Sequence, residues 1–180
     1  MEKRLPTLDE FINEQSKTTY DYGCLMVNVD EMGWDGFIKE TVNDEDLYTE
    51  GDDYGIETEP HVTVLYGFHK DIDMKKLKEF LLPLSELEIT SSKISIFENE
   101  KYDVLKYDID SDKLFELNDL MTENFEYTTD FPDYHPHVTI AYLKPGRGKK
   151  YVTELKEAKE FKAKTYKFSH PDGKKEFIKK

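Results

Sequence analysis

The chain has 180 residues, which is enough for one domain, or two small lobes, with a buried core. With 37% apolar residues, twelve Tyr and eleven Phe, the composition is that of a folded protein rather than a disordered one. A single cysteine excludes a disulfide framework within the chain and a cysteine-rich zinc site. The net charge of −14 disfavours a binder of long nucleic acids, because such a surface repels phosphate backbones.

The charge is distributed unevenly along the chain. Residues 143–180 carry thirteen Lys or Arg and five Asp or Glu, whereas the remainder is strongly acidic. The basic segment is either a solvated lysine face or a region that meets a small anion. The first residues show no secretory signal and no stretch is apolar enough to span a membrane, so we expect a soluble, monomeric protein of a reducing cytoplasm with no membrane partner.

The first third of the chain gives the weaker structural signals. Residues 1–19 are predicted to be an N-terminal appendage with a weak helix, and 20–180 a single domain. We expect a strand over 20–29 and a short helix over 33–42. The acidic stretch 43–59 is predicted to be a solvated loop, because it lacks the ordered carboxylate spacing of a calcium loop.

From residue 60 onward, strand and helix patterns follow one another without a low-complexity linker. Apolar residues at helical spacing predict a helix over 73–84, and further helices are predicted over 112–126 and 149–161. Strands are predicted over 61–68, 87–97, 104–109, 137–143 and 163–169, with a last short strand near Phe177. This mixture in one body predicts the α+β class.

One short repeat stands out. Residues 60–66 read Pro-His-Val-Thr-Val-Leu-Tyr, and residues 136–142 read Pro-His-Val-Thr-Ile-Ala-Tyr. Chance is a poor explanation for such a match around a histidine, and the repeat is too short for a solenoid. It indicates two lobes that each present the same strand.

Strand geometry predicts where these side chains point. Because side chains alternate between faces, His61 and Thr63 share one face of their strand, as do His137 and Thr139 of theirs. Two such strands around one cleft would bring two imidazoles and two hydroxyls together. The same alternation predicts that the tyrosines ending the two repeats, Tyr66 and Tyr142, lie on the opposite, packed face.

Two imidazoles and two hydroxyls suit acid–base chemistry at a phosphodiester. At neutral pH one imidazole can accept a proton from the attacking oxygen while the other protonates the leaving oxygen. The threonine hydroxyls can donate to the non-bridging phosphate oxygens. Two buried structural histidines are one alternative, and a two-histidine metal site is another, although the repeat supplies no further ligand for a metal.

The doubled His-x-Thr pattern, His61-Val62-Thr63 and His137-Val138-Thr139, resembles the signature of the two-histidine phosphoesterase superfamily. That group includes the bacterial RNA ligase-like and cyclic nucleotide phosphodiesterases and the 2′-5′ oligoadenylate phosphodiesterases. The resemblance implies a bilobal α+β fold, with antiparallel sheets forming a central cleft and helices outside. It also implies cleavage of a phosphodiester without a metal or cofactor, with His61, Thr63, His137 and Thr139 as the catalytic residues.

Further features are similar to the phage anti-CBASS phosphodiesterases, which degrade cyclic di- and trinucleotide immune signals. These features are the compact size, the segment Tyr20-Asp21-Tyr22-Gly23 and the Pro-Asp-Gly-Lys-Lys hairpin at residues 171–175. The resemblance implies that a 2′-hydroxyl of the substrate attacks the adjacent 3′-5′ phosphate, in the cytoplasm of a bacterial host. It suggests that Tyr22 stacks on a base of the substrate. It also suggests that an aromatic residue or a lysine of the basic tail closes over the ligand. The candidates are Tyr166, Phe168, Lys174 and Lys175.

Two other functions stay open at this stage. One is a phosphoesterase for RNA ends, acting on 2′,3′-cyclic phosphates or 2′-5′ bonds. The other is a non-catalytic nucleotide sponge. The acidic body favours a small nucleotide over RNA, and two titrating groups favour an enzyme over a sponge. Neither the base and acid roles of the two histidines nor the ring size of a cyclic substrate follows from the sequence.

Overall fold

The computed structural model describes residues 21–29, 41–51, 54–84 and 86–179. The predicted N-terminal appendage and all but the last two residues of the helix predicted over 33–42 lie outside these ranges. The described strands are β1 (Gly23–Val29), β2 (His61–Phe68), β3 (Leu87–Glu98), β4 (Asp103–Asp110), β5 (His137–Leu143), β6 (Thr153–Ser169) and β7 (Lys175–Ile178). The helices are α1 (Met74–Leu81) and α2 (Asp112–Asn124), with short 3₁₀ helices η1 (Asp44–Asp46) and η2 (Gly148–Tyr151).

All strand pairs are antiparallel, which confirms the predicted α+β class. The hydrogen-bonded order is β1-β2-β5-β4-β3-β6-β7, and β1 also pairs with β6, so the ladder of the first six strands closes on itself. One half of the sheet contains β1 and β2, and the other contains β3, β4 and β5. The long strand β6 belongs to both halves, because 153–163 pair with β3 and 163–169 pair with β1.

The two helices pack apolar faces against this sheet. Asp73 caps α1 by accepting hydrogen bonds from two backbone N–H groups of its first turn at 3.0 Å. The buried residues of α1 are Leu77 and Leu81, and those of α2 are Leu114, Leu117 and Met121. In the described part of the chain, neither helix is long and apolar enough to cross a membrane.

The predicted packed face of the two motif strands is confirmed at their centres. Val62 and Val64 of β2 and Val138 and Ile140 of β5 have no exposed surface. Their burial fixes the register, because a slip of one residue would turn these side chains toward solvent. The opposite face of each strand is therefore left for His and Thr.

The helix predicted over 149–161 is wrong. After the short turn η2, these residues form the first half of β6. The Lys- and Glu-rich composition favours a helix, but pairing with β3 overrides that preference. The register jumps here, since Ser91 pairs with Lys159 and Lys93 pairs with Glu154. Residues 155–158 thus form an irregularity in the strand.

Gly67 offers a test of the close packing at the end of β2. Its φ is 115°, and a Cβ added to it would lie 2.0 Å from the carbonyl oxygen of Thr128. Gly67→Ala should therefore lower the free energy of unfolding by about 4 kcal/mol, at the upper end for a single substitution. Gly146→Ala is the matched control, because Gly146 also has a positive φ of 74° but open space around it. Gly146→Ala should lower the free energy of unfolding by about 1–2 kcal/mol. If urea unfolding shows that the two variants lose equal free energy of unfolding, the clash with Thr128 is contradicted.

Candidate active site

The two His-x-Thr motifs meet at the junction between the halves of the sheet. The pairing between β2 and β5 consists of Val62 against Val138, the central residues of the two motifs. In an antiparallel register set by this pair, His61 lies toward Thr139, and His137 lies toward Thr63. The charge of His61 acts on the pKa of His137, so the two imidazoles are close enough to interact.

Each imidazole is held by the backbone two residues before it. The Nδ1 atom of His61 lies 2.8 Å from the carbonyl oxygen of Glu59, and that of His137 lies 2.8 Å from the carbonyl oxygen of His135. A carbonyl oxygen can only accept, so Nδ1 carries the hydrogen and donates it in both contacts. In the neutral form, Nε2 of each ring is then left to accept a proton.

The surroundings of His137 are apolar and positively charged. Its ring makes an edge contact with Phe97, with 5.1 Å between the centroids, and Nζ of Lys106 lies 4.1 Å from the Phe97 centroid. Lys106 is 5% exposed, donates to Ser95 at 2.7 Å and forms an ion pair with Asp108.

These surroundings lower the pKa of His137. Burial is the largest cause, and the positive charges of Lys106 and His61 act in the same direction. The hydrogen bond to His135 and the carboxylate of Asp108 oppose the shift. The net effect favours the neutral imidazole, which is the form that can act as a base.

A cavity of about 590 Å³ lies against the first motif, with His61 and Thr63 in its lining. This volume is within the range of about 300–1,000 Å³ that is common for small-molecule sites. His137 and Thr139 are not lining residues, and Thr139 is 9% exposed. They lie across the β2–β5 junction on the other half of the sheet.

The predicted packing of Tyr66 and Tyr142 away from the site is wrong. Both tyrosines line the cavity, and Tyr66 is 37% exposed. Each motif strand contains an extra residue after its threonine, because the register skips Val64 in β2 and Ile140 in β5. Such a bulge reverses the alternation beyond it. Both tyrosines thereby come to the same face as His and Thr.

Tyr22 lies in the wall of the cavity. Its ring contacts Tyr66 edge-on at 6.1 Å and stacks on His69 at 6.0 Å. Of the two predicted tail lysines, Lys175 lines the cavity, whereas Lys174 lies in the turn before β7 and does not.

The suggestion that Tyr166 and Phe168 contact a ligand is wrong. They are 4% and 0% exposed, because they point from β6 into the core. The alternate residues of the same strand, Lys167 and Ser169, line the cavity instead. The period-two alternation of this strand could have identified them, since two aromatic residues two positions apart usually mark the buried face.

The side chains give little support to two other chemistries, which are nucleophilic attack by a cysteine and binding of a metal ion. Burial raises the pKa of Cys24 to about 12, so this thiol in the cavity wall stays protonated and is a poor nucleophile. Among the described residues, no group of three or more His, Cys, Asp or Glu is placed to hold a metal ion. A two-histidine metal site would therefore lack a third ligand of these types within that part of the chain.

Comparison with solved structures shows the fold alone. TT0787 of Thermus thermophilus is 13% identical, with a TM-score of 0.53 over 87% of this chain and 97% of that chain. A structure described as a phosphoesterase is 11% identical, with a TM-score of 0.48 over 88% of this chain and 94% of that chain, and is too distant to support an argument.

Comparison of sequences is more specific. No curated protein matches the chain. The model of a protein family described as "Anti-CBASS protein Acb1" matches residues 55–165, which include both His-x-Thr motifs and more than half of the chain. The chain therefore belongs to the Acb1 family of anti-CBASS proteins.

Proposed function

We propose that the protein is a phosphodiesterase that cleaves 3′-5′ bonds of cyclic di- or trinucleotides by acid–base catalysis with two histidines. The observation that carries this proposal is the meeting of two identical motifs at Val62 and Val138, with both imidazoles held in the same tautomer by backbone carbonyls. A protein that only binds a nucleotide does not need two imidazoles that both keep Nε2 available to accept a proton. This favours an enzyme over a sponge.

The reaction that fits these groups is an in-line transesterification. Nε2 of His137 takes the proton from a 2′-hydroxyl, and the O2′ atom forms a bond to the adjacent phosphorus. The bond from phosphorus to O5′ breaks, and protonated His61 gives its proton to O5′. The product end is a 2′,3′-cyclic phosphate, which water can open to a 3′-phosphate with the two roles reversed. We assign the base to His137 because its pKa is lowered.

The threonines suit stabilisation of the transition state. On the register of the Val62–Val138 pair, each threonine is opposite the histidine of the other motif. There it can donate to a non-bridging phosphate oxygen, where negative charge is concentrated. In this proposal, Thr63 and Thr139 hold the phosphate between the two imidazoles.

Family membership and charge support a small cyclic substrate. The family is described as anti-CBASS, which implies action on cyclic oligonucleotide signals, and we place that action in the bacterial cytoplasm. A cyclic di- or trinucleotide has only two or three phosphates and does not extend over the acidic surface, whereas long RNA would. Tyr22 and Tyr66 offer aromatic rings in the cavity wall on which a base can stack.

Removing either imidazole should abolish most of the turnover. His61→Ala and His137→Ala should each lower kcat by about 10²- to 10⁴-fold, the usual contribution of a positioned acid or base. The double variant should be little worse than the poorer single variant, because the two groups act as a unit. His135→Ala is the matched control. It removes an exposed imidazole near the site but keeps the carbonyl that holds His137. Near-normal kcat in either motif variant would contradict the assignment.

The attacking group can be tested in the substrate. A cyclic dinucleotide whose 2′-hydroxyls are replaced by hydrogen should bind with a similar Kd but should not be cleaved, because no internal nucleophile is left. The ribose form should be cleaved at an undiminished rate in excess chelator.

Three results would change the proposal. Cleavage of the deoxy analogue would rule out attack by the 2′-hydroxyl. Loss of activity in chelator that a divalent ion restores would favour a metal hydrolase. If cyclic oligonucleotides are inert while RNA 2′,3′-cyclic ends are hydrolysed, the protein is an RNA-end phosphoesterase.

The pH profile should follow the charges around His137. If His137 is the base, kcat/KM falls as the pH drops through its pKa. Lys106→Met removes a positive charge that lowers this pKa, so the acid limb should move to higher pH. Asp108→Asn removes a negative charge that raises it, so the limb should move to lower pH. Titration of the His137 ring by NMR should give the same two directions without turnover. Shifts of the same sign would contradict the assignment of His137 as base.

A further inference from the structure

Lys167 is a cation in the wall of the cavity that the mechanism above does not use. It lies on β6 between two core aromatic residues, and its side chain faces the cavity. Met26 of β1 pairs with Thr63 on one side and with Lys167 on the other. Residues paired in one row across a sheet point to the same face. Lys167 therefore shares its row with the threonine of the first motif.

The ammonium of Lys167 is buried, but its counterion is not. Lys167 is 3% exposed, and its Nζ donates to Oε2 of Glu59 at 3.1 Å. The Glu59 side chain is 59% exposed. A buried ammonium is costly unless it is paired with an anion. The lysine is thus fixed and needs an anion, whereas the exposed carboxylate can rotate into solvent once another anion takes its place at Nζ.

Glu59 can release Lys167 without breaking the hydrogen bond that holds the His61 ring. Its contact to His61 is made by the backbone carbonyl, not by the side chain. The hydrogen bond from Lys167 lowers the pKa of Glu59, so the carboxylate is ionised at neutral pH. Lys175, another cavity residue, approaches the same carboxylate oxygen at 3.8 Å. Two ammonium groups therefore share one exposed carboxylate at this end of the cavity.

We propose that Lys167 binds a phosphate of the substrate, and that the Glu59 carboxylate is a displaceable anion that occupies this position until the phosphate arrives. The phosphate presents the same chemistry to Nζ as the carboxylate does, an anionic oxygen that accepts a charge-assisted hydrogen bond. Lys175 neutralises the rotated Glu59 or contacts the same phosphate. The inference rests on the proposed function for the identity of the ligand, and it assigns Lys167 to phosphate binding rather than to proton transfer.

Displacement predicts opposite effects for the two partners. The probe is the non-cleavable 2′-deoxy cyclic dinucleotide, with Kd measured by titration calorimetry. Lys167→Met should weaken binding by about tenfold or more, because it removes a charge-assisted hydrogen bond. Glu59→Gln should tighten binding by about threefold, because the neutral amide competes less well for Nζ. In the double variant the gain should disappear, and its Kd should equal that of Lys167→Met.

Matched controls separate this effect from net charge. Lys75 and Glu79 form an exposed pair on α1, with Nζ and Oε1 3.9 Å apart. Lys75→Met and Glu79→Gln change the total charge by the same amounts and should leave the Kd within about twofold, since surface charges at a distance are screened. Weaker or unchanged binding in Glu59→Gln would show that the ion pair is a fixed structural element. Unchanged binding in Lys167→Met would equally overturn the inference.

A second probe distinguishes failure of this inference from failure of the proposed function. Inorganic phosphate carries no base and no ring, and its binding can be followed through the His61 ring signals by NMR. If the wild-type protein binds phosphate and Lys167→Met does not, the phosphate site stands even when the cyclic dinucleotide fails to bind. If both proteins bind phosphate equally, Lys167 is not the phosphate-binding residue, whatever the substrate is.

Discussion

The site depends on the narrow contact between β2 and β5. The two strands pair through Val62 and Val138, both without exposed surface, and each continues into its own half of the sheet. The residue before each motif strand is hydrogen-bonded to the strand on the other side in the same way. Pro60 accepts a hydrogen bond from the end of β1 at 2.9 Å, and Pro136 accepts one from the end of β4 at 3.0 Å. Because the backbone is held on both sides, the His and Thr side chains have little freedom in direction.

The repeated strand gives the same imidazole twice in two different environments. Both rings use Nδ1 to donate to a carbonyl two residues earlier, so the backbone sets the tautomer. The difference comes from what the rest of the fold adds. His137 is packed against Phe97 and lies near Lys106, which disfavours its protonated form. His61 lies instead in the wall of the cavity. Two identical motifs thus place their histidines in different surroundings, which is what the proposed division into base and acid requires.

The sequence predicted the motif strands well, because both carry strong local signals. β2 and β5 have the predicted bounds, and their buried valines follow from the alternation. The bulges after the threonines could not be predicted, since neither Val64 nor Ile140 carries a turn signal, and so the tyrosines were placed on the wrong face. The first half of β6 was missed for another reason. Its composition favours a helix, and only pairing with distant residues of β3 makes it a strand.

The acidic character of the protein is compatible with the proposed anionic substrate, because the net charge and the cavity residues act over different distances. The net charge of −14 acts on a polymer that lies across the surface. At physiological salt, however, charges separated by more than about 8 Å are largely screened. A ligand held inside the cavity responds mainly to the groups that touch it, and these include the ammonium groups of Lys167 and Lys175. On this basis the proposed site admits a compact anion, whereas the surface disfavours a long one.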